Sequence, residues 1–282
     1  MFIAFLGPKG SFSHHVAQAA FPDATLVPYQ NITEVIKAYE AGEVTYSVVP
    51  IENSIEGSVH ETLDYLFHQA KIETVAEILQ PIKQQLLVTD VDKTIDTIFS
   101  HPQAIAQGKK YLQQHYPHAK LETTVSTAYA ARLVAEHPGM NFAAIGPRSA
   151  AIEYGLEIMA QDIQEMEENY TRFWILGHQV PHLDLQKQKE KQSLAITLPD
   201  NLPGALYKAL SVFAWRGIDL TKIESRPLKT ALGEYFFIVD LDNHHEELVN
   251  FAYQELTSLG ITYKILGNYT VYKIKESRLE KR

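Results

Sequence analysis

The sequence predicts an α/β protein with two lobes, followed by a smaller domain of the ferredoxin-like βαββαβ type. Short apolar runs alternate with helical patterns from residue 1 to about 180, and the composition turns polar over residues 178–192. The remaining chain carries six elements in the order strand, helix, strand, strand, helix, strand. We therefore expect a first domain at residues 1–180, a linker at 181–192 and a second domain at 193–272.

The first domain alternates strands with helices, a pattern typical of a mostly parallel sheet with helices on both faces. Its length suits two such lobes with a cleft between them. The predicted segments, in chain order, are strand FIAFLG, helix HHVAQAAF, strand ATLVPY, helix ITEVIKAYEAG, strand YSVV, helix SVHETLDYLFHQA, strands KQQLLVT and TIFS, helix PQAIAQGKKYLQQH, strand LETTV, helix TAYAARLVAEH, and strands FAAIG and RFWILG.

The second domain follows the stretch HQVPHLDLQKQKEKQ, whose charges and proline are typical of a solvated linker. Its predicted segments are strand SLAITL, helix GALYKALSVFAWRG, strands IDLTKIESRP and EYFFIVDL, helix EELVNFAYQELTSLG and strand ITYKILG. This order is the split βαββαβ pattern.

The composition is that of a globular protein. Apolar residues make up 45% of the 282, and no apolar run approaches the roughly 20 residues that a membrane helix needs. The start, MFIAFLGPKGSF, lacks the basic segment and cleavage site of a signal peptide. Since the chain has no cysteine, disulfides, iron–sulfur clusters and thiolate zinc sites are excluded. We therefore expect a soluble cytoplasmic protein without a membrane partner.

The net charge of −9 argues against broad binding of nucleic acid, which needs a basic face. An anionic small molecule stays possible, because helix N-termini and a few basic residues make a pocket locally positive. The sequence has no HExxH motif, no GxSxG turn and no GxGxxG loop. We therefore expect neither a metal nor a cofactor.

In open α/β sheets, ligands bind beyond the carboxyl ends of the strands, so residues that follow strands are site candidates. After FIAFL, a glycine-containing turn leads into a helix and supplies Lys9, Gly10, Ser11 and Ser13. Backbone N–H groups in such a turn approach an anion. The spacing is not that of a Walker loop, and a plain turn with Ser13 as the helix N-cap is the alternative.

The stretch VVPIENSIEGSV raises a different question, because a buried strand ends there in a carboxylate, an amide and a hydroxyl. These groups belong to Glu52, Asn53 and Ser54, and Gly57 follows before the next helical pattern. Polar side chains at the carboxyl end of a buried strand predict that this end opens into the cleft.

Two further helices begin directly after strands. The candidates that they supply are Ser100, His101 and Gln107 in SHPQAIAQ, and Ser126 and Thr127 in STAYAA. Helix capping or a surface position is the alternative for each start. Gln107 leans back toward its helix N-terminus, so its amide is a candidate for the cleft.

The block NYTRFWILG places Thr171 and Arg172 before an aromatic-rich strand. An arginine there offers a planar fork for a carboxylate, although an ordinary surface arginine is the alternative. Arg148, after FAAIG, is a weaker anion contact. Together these residues predict a cleft with many hydrogen-bond donors and some positive charge, which suits a small anion without naming a reaction.

Seven blocks of the sequence, taken in order, resemble the signature blocks of the prephenate dehydratase family. Five are GPKGSFSH, VPIENSIEGSV, SHPQAIAQ, STAYAA and NYTRFWILG, and two more, LPGALYKAL and IESRP, resemble the ACT regulatory domain of that family. The resemblance covers about residues 1 to 270 and departs at Gly108, where the family often has cysteine. It implies a two-lobed, periplasmic-binding-protein-like catalytic domain with a C-terminal ACT domain. No extra helical segment precedes MFIAFLG, so we expect a monofunctional enzyme without a chorismate mutase domain.

The resemblance implies that prephenate loses its ring hydroxyl as water and its ring carboxylate as CO2, giving phenylpyruvate for phenylalanine biosynthesis without a cofactor. It places Thr171 at the centre of catalysis, donating a hydrogen bond to the departing hydroxyl. The catalytic candidates are Thr171, Arg172, Glu52, Asn53 and Gln107. The substrate-binding candidates are Lys9, Gly10, Ser11, Ser13, Ser54, Ser100, His101, Ser126, Thr127 and Phe173.

Glu52 has two interpretations, because an ionised carboxylate repels a dianionic substrate. Either it points away from the cleft and orients the loop, or burial raises its pKa so that it donates a proton. We favour the first.

The ACT resemblance implies feedback inhibition by phenylalanine. The turn NLPGAL offers backbone N–H groups to the ligand's carboxylate, and ESRP contacts its other end, although plain turn and strand chemistry is the alternative for both. The candidates are Asn201, Leu202, Gly204, Ala205, Leu206, Glu224, Ser225 and Arg226. Because such domains pair side by side, we expect a homo-oligomer, either a dimer or a dimer of dimers, which is a homotetramer.

Two other functions stay open. Two lobes around a cleft also form solute receptors and ligand-sensing regulators, but the chain lacks a signal peptide and a helix-turn-helix segment, and neither class needs the Thr-Arg-Phe block. The second is an enzyme that acts on arogenate, the amino analogue of prephenate. The sequence does not separate these two substrates.

Overall fold

The computed structural model describes residues 1–199, 203–230, 234–242 and 246–274. Two sheets organise these residues into two lobes and a C-terminal domain. The strands are β1 Phe2–Leu6, β2 Thr25–Tyr29, β3 Tyr46–Asn53, β4 Gly57–Ser58, β5 Glu73–Pro81, β6 Gln85–Val88, β7 Thr97–Ser100, β8 Lys120–Thr123, β9 Phe142–Gly146, β10 Glu157–Ala160, β11 Tyr170–Gly177, β12 Gln186–Thr197, β13 Leu220–Pro227, β14 Tyr235–Asp242 and β15 Thr262–Lys273.

The helices cover the faces of these sheets. They are α1 Phe12–Ala20, α2 Ile32–Glu40, α3 His60–His68, α4 Pro102–Gln107, α5 Lys109–His115, α6 Thr127–Glu136, α7 Arg148–Tyr154, α8 Ala205–Ala214 and α9 Glu246–Ser258. None of the helices in the described ranges combines the length and apolar character needed to cross a bilayer.

The first lobe is built on one half of the larger sheet, whose order is β13-β14-β12-β15-β5-β11-β3-β1-β2, with β4 paired to β3. The second lobe has the smaller sheet, in the order β10-β6-β9-β7-β8. The chain leaves the first lobe after β5 and returns through β11, which inserts antiparallel between β3 and β5. The sheets are therefore mixed, and the expectation of mostly parallel sheets is wrong at this returning strand.

The C-terminal domain has the predicted element order, β12-α8-β13-β14-α9-β15. It is not separated from the first lobe, because β15 pairs in parallel with β5 and makes one continuous sheet. Gly267 permits this approach, since a Cβ there would collide with the backbone oxygen of Thr74.

The polar stretch predicted as a linker is partly a strand. From residue 186 it belongs to β12, whose first five residues are exposed and pair with β15 or lie beside it. The prediction fails because ladder hydrogen bonds are made by the backbone, while Lys and Gln side chains stay in water.

Buried apolar residues cover both faces of the larger sheet, with Trp174 and Phe173 of β11 on opposite sides. Separate clusters fill the C-terminal domain beneath α8 and α9 and both faces of the smaller sheet. Gly108 ends α4, and a Cβ there would lie 3.3 Å from Cδ1 of the buried Ile163, so glycine fits this packed corner.

Candidate active site

A cleft of about 500 Å³ lies between the two lobes, at the carboxyl end of β3 and beside β11. The first lobe lines it with residues near β1, β3 and β11, and the second lobe with the starts of α4 and α6. The polar side chains lining the cleft are Ser11, Ser13, Asn53, Glu56, Ser58, Gln84, His101, Gln103, Gln107, Ser126, Thr127 and Thr171. Within the described lining there is no Lys or Arg.

Three helix N-termini converge on this cleft. Their N-cap residues are Ser11 for α1, His101 for α4 and Ser126 for α6. The Ser11 hydroxyl accepts from the N–H of His14 at 3.2 Å, and the Ser126 hydroxyl accepts from the N–H of Tyr129 at 3.0 Å. The remaining first-turn N–H groups and the helix dipoles attract an anion here without a charged side chain.

The N-cap of α1 differs from the predicted alternative, in which Ser13 caps the helix. Ser13 is the second residue of α1, is 6% exposed and lines the cleft. Both serines are therefore at the cleft, one as a cap and the other within the first turn.

Asn53 and Thr171 form the central pair of the cleft, because β3 and β11 are in register at these two residues. The Asn53 amide Nδ2 donates to Oγ1 of Thr171 at 2.9 Å and to Oδ1 of Asn169 at 2.8 Å. Its Oδ1 accepts from the N–H groups of Ile55 and Glu56 at 3.0 and 3.1 Å, which fixes the orientation of the amide. Since the Thr171 oxygen accepts from Asn53 and Thr171 lines the cleft, its own O–H is available as a donor there.

Strand alternation divides the Thr-Arg-Phe block between two faces of the sheet. Thr171 and Phe173 line the cleft, whereas the side chain of Arg172 lies on the reverse face. Glu52 is the register partner of Arg172 and lies on that reverse face too. A bulge between Arg172 and Phe173 then brings Phe173 opposite Pro50, which also lines the cleft.

Arg172 is held by three carboxylates, which corrects the expectation that it binds the substrate. Its Nη1 donates to Glu52 at 2.7 Å, and its Nη2 donates to Glu77 and Asp240 at 2.6 Å each. Burial alone would lower the pKa of Arg172, but the charges of Asp240 and Glu77 raise it well above its ordinary value. The guanidinium is therefore a permanent cation, fully engaged behind the cleft.

The side chain of Glu52 points away from the cleft, as in the first of its two interpretations. Its carboxylate binds Arg172 and accepts from the Lys222 ammonium at 2.9 Å, outside the cleft lining. Burial would raise the pKa of Glu52, but the hydrogen bonds from Lys222 and Arg172 outweigh it and lower the pKa. A carboxylate with a lowered pKa stays ionised and does not act as the proton donor.

Four other predicted residues lie away from the cleft lining. The backbone oxygens of Lys9 and Gly10 accept from the hydroxyls of Tyr154 and Ser149 on α7, so this turn joins the two lobes. Ser100 is fully buried and donates to the backbone oxygen of Ile145 at 2.7 Å, which is a core contact of the second lobe.

Ser54 is the fourth of these residues. Its hydroxyl accepts from the N–H of Tyr170 at 3.0 Å, and its own N–H donates to the backbone oxygen of Tyr170 at 2.9 Å. Ser54 therefore fixes the loop after β3 against the start of β11, beside Asn53, instead of facing the cleft.

Several lining residues have no counterpart among the sequence candidates. Gln84 is 3% exposed and its Nε2 lies 3.5 Å from the Oε1 of Gln107, so it supports a predicted residue. It follows the carboxyl end of β5, a strand missing from the predicted segments, in which Gln84 belongs to the strand KQQLLVT. The other missed residues are Leu6, Gly7, Phe12, Pro50, Glu56, Ser58, Val59, Ile82, Gln103, Ala104 and Val125.

Of the residues predicted to bind phenylalanine, the six that the structure describes do not line the cleft. Gly204 takes a left-handed conformation (φ 69°) at the start of α8, followed by Ala205 and Leu206. Asn201 and Leu202 lie outside the described residues. On β13, Ser225 is exposed, whereas Glu224 and Arg226 face the first lobe, where Glu224 lies 3.2 Å from Nε2 of His60 and Arg226 forms an ion pair with Asp64.

The fold and the cleft define a two-lobed α/β protein that receives a small polar anion, with a βαββαβ domain attached to one lobe. The sequence profile of the prephenate dehydratase family matches residues 3–181. The prephenate dehydratase of Lactococcus lactis (strain IL1403) is 51% identical over 278 residues, covering 98% of this chain and 100% of that protein.

Solved structures agree with these sequence comparisons. Prephenate dehydratase from Streptococcus mutans is 50% identical, with a TM-score of 0.65 over 96% of this chain and 99% of that chain. The enzyme from Arthrobacter aurescens, in complex with L-Phe, is 33% identical, with a TM-score of 0.81 over 95% of this chain and 90% of that chain. The chain therefore belongs to the prephenate dehydratase family, and it is a hydro-lyase of aromatic amino-acid biosynthesis.

Proposed function

We propose that the cleft between the lobes converts prephenate to phenylpyruvate, with the Asn53–Thr171 pair at the departing hydroxyl. The bond between the ring and its carboxylate breaks, and its electron pair enters the ring and displaces the hydroxyl on the opposite carbon. The products are phenylpyruvate, CO2 and, after the leaving hydroxide takes one proton, water. The observation that carries this proposal is the oriented hydroxyl of Thr171 in the cleft.

Thr171 stabilises the charge that develops on the leaving oxygen. Because its oxygen already accepts from Asn53, its O–H is free to donate, and the bond from Asn53 makes that O–H a better donor. Such a preorganised donor acts on charge that appears only in the transition state. The proton that completes the water reaches the hydroxide along this hydrogen bond or from solvent.

The helix N-termini of α1, α4 and α6 bind the carboxylates of the substrate. Ser11 and Ser13 present the first turn of α1, while His101 and Ser126 present the starts of the two helices on the other lobe. Gln107 supplies a further amide from α4. Since both lobes contribute, closing the cleft brings all of these groups onto the substrate and orients it.

The C-terminal domain is an ACT domain that binds phenylalanine and inhibits the enzyme. The backbone N–H groups of the turn at Gly204–Leu206 take the ligand's carboxylate, in keeping with the left-handed Gly204 at the helix start. The relative from Arthrobacter aurescens was solved with L-Phe, which supports this ligand class.

The open edge of β13 favours a homo-oligomer, as a dimer or a dimer of dimers. This strand ends the larger sheet, and Thr221, Ile223 and Ser225 are exposed along it. An unpaired edge strand is a template for pairing with a second copy.

The test is to mix purified protein with prephenate and to follow phenylpyruvate, with and without phenylalanine, with arogenate as a parallel substrate. Thr171→Val should lower kcat by about a hundredfold or more, because it removes one donor of the transition state, whereas Thr171→Ser keeps the hydroxyl and most of the activity. A Thr171→Val enzyme with normal kcat contradicts the proposed mechanism. Turnover that phenylalanine does not suppress contradicts the proposed regulation alone, and a preference for arogenate contradicts the proposed substrate.

A further inference from the structure

Strand β13 of the C-terminal domain presents charged residues to the first lobe at every second position. Lys222, Glu224 and Arg226 all face that lobe, as the period of a strand requires. Arg226 binds Asp64 of α3 at 3.0 and 3.1 Å, which is a contact far from the cleft lining. The other two reach the hairpin formed by β3 and β4.

Lys222 holds both strands of that hairpin. Its ammonium, with a side chain 11% exposed, lies 2.9 Å from Oε1 of Glu52 and 2.6 Å from the hydroxyl of Ser58. Glu52 and Ser58 are register partners across the hairpin, and the next pair is Asn53 with Gly57. Glu224 completes the contact, since it accepts from Ser58 and lies 3.2 Å from Lys222.

The hairpin is also a wall of the cleft. Asn53, which orients the Thr171 hydroxyl, belongs to it, and Gly57 and Ser58 line the cleft directly. Lys222 itself does not line the cleft, but through Ser58 and Glu52 it contacts the hairpin that carries Asn53.

We propose that Lys222, supplied by the C-terminal domain, is a positioning residue of the active site, because it holds the hairpin that carries Asn53. The part that concerns catalysis rests on the proposed role of the Asn53–Thr171 pair. A second part rests on the proposed phenylalanine site: a ligand that shifts β13 moves Lys222 and thereby Asn53, and so lowers turnover.

The experiment compares Lys222→Met with Lys229→Met in the full-length chain. Lys229 carries the same charge in the same domain and also pairs across to the first lobe, with Asp64 at 2.8 Å, but it does not contact the hairpin. Since misplacing a catalytic group by about 1 Å costs up to about a hundredfold in rate, kcat of Lys222→Met should fall by about ten- to a hundredfold. The KM for prephenate should change less than kcat, Lys229→Met should keep the wild-type kcat, and Lys222→Arg should restore part of the loss.

Ser58→Ala gives an independent readout, because it removes the hydroxyl through which Lys222 holds the far strand. The kcat of Ser58→Ala should fall as well. The kcat of the double variant, Lys222→Met with Ser58→Ala, should be only slightly lower than that of Lys222→Met, since both changes break the same contact between Lys222 and Ser58. Wild-type kcat in Lys222→Met, or fully additive losses in the double variant, overturns the inference. If Lys222→Met does not fold, an unaffected Ser58→Ala also overturns it.

The regulatory part has its own outcome. Lys222→Met should weaken the inhibition of the residual activity by phenylalanine, while Lys229→Met keeps it. If the wild-type enzyme ignores phenylalanine, the proposed phenylalanine site fails, and the comparison of kcat values still decides the positioning role. If the wild type is inhibited and Lys222→Met is inhibited equally, the coupling through Lys222 is wrong.

Discussion

Replacing Arg172 by methionine removes the guanidinium from the polar cluster behind the cleft, where the charge of Lys191 also acts on Glu77 and Asp240. Its guanidinium binds Glu77 through Nε and Nη2 at 3.1 and 2.6 Å, and it binds Asp240 at 2.6 Å. Both carboxylates are 1% exposed, whereas Glu52 keeps Lys222 as a partner. Because breaking a buried pair leaves an uncompensated charge, we expect the free energy of unfolding to fall by about 3–5 kcal/mol at neutral pH.

The assay is urea unfolding followed by circular dichroism, with Arg132→Met as the matched control. Arg132 pairs with Glu136 at 3.6 Å on an exposed face of α6, so its replacement should cost less than about 0.5 kcal/mol. If Arg172→Met costs less than about 1 kcal/mol, the buried carboxylates do not need this cation and the reasoning is refuted.

The pH dependence of the same variant follows from Asp240. Burial alone would raise the pKa of Asp240, but the charge of Arg172 and the hydrogen bond from Ser193 outweigh it and lower the pKa. The wild type therefore gains stability above the unfolded pKa of about 4 and loses it as pH falls through the lower folded pKa. Without Arg172, burial favours the protonated acid, so the difference between variant and wild type should shrink as pH falls toward about 4.

Three further changes separate positioning from packing. Asn53→Asp keeps the shape but removes the amide donor to Thr171, so kcat should fall by about a hundredfold in the phenylpyruvate assay, and an unchanged kcat would argue against the oriented hydroxyl. Ser100→Ala leaves the buried backbone oxygen of Ile145 without its side-chain donor, so the free energy of unfolding in urea should fall by about 1–3 kcal/mol. The kcat of the folded enzyme should stay normal, and a lowered kcat would show that Ser100 acts in the active site. Gly10→Ala places a side chain on a backbone with φ of +79° and its Cβ 3.1 Å from Cα of Ala150. The free energy of unfolding should therefore fall by about 1–3 kcal/mol, and an unchanged unfolding midpoint would show that the turn adapts to the side chain.

The fold was largely predictable where local pattern decides it. Alternating strands and helices predicted both lobes, and the six C-terminal elements occur in the predicted order. The continuous sheet was not predictable, because the pairing of β15 with β5 joins residues almost 200 positions apart and depends on the close approach at Gly267. Such contacts leave no periodic signal in either strand.

The site was predictable where a rule of position applies. Helix starts after strands predicted Ser11, His101 and Ser126, and the polar end of a buried strand predicted Asn53, all of which line the cleft. Arg172 was misassigned for a physical reason. A strand sends neighbouring side chains to opposite faces, so Thr171 and Arg172 do not share the cleft, and the sequence alone does not say which one faces it.

This division of the sheet has a chemical consequence for the proposed reaction. The ring carboxylate of prephenate leaves as CO2, so its charge moves into the ring as the bond breaks. A guanidinium at that carboxylate would bind the ground state more strongly than the transition state and would slow its loss. The described lining contains no Lys or Arg, and the donors that it offers an anion are helix N-termini, amides and hydroxyls, while Arg172 is kept on the reverse face by Glu52, Glu77 and Asp240. The guanidinium of Arg172 thus holds the strands that carry Asn53 and Thr171 without stabilising the carboxylate that leaves as CO2.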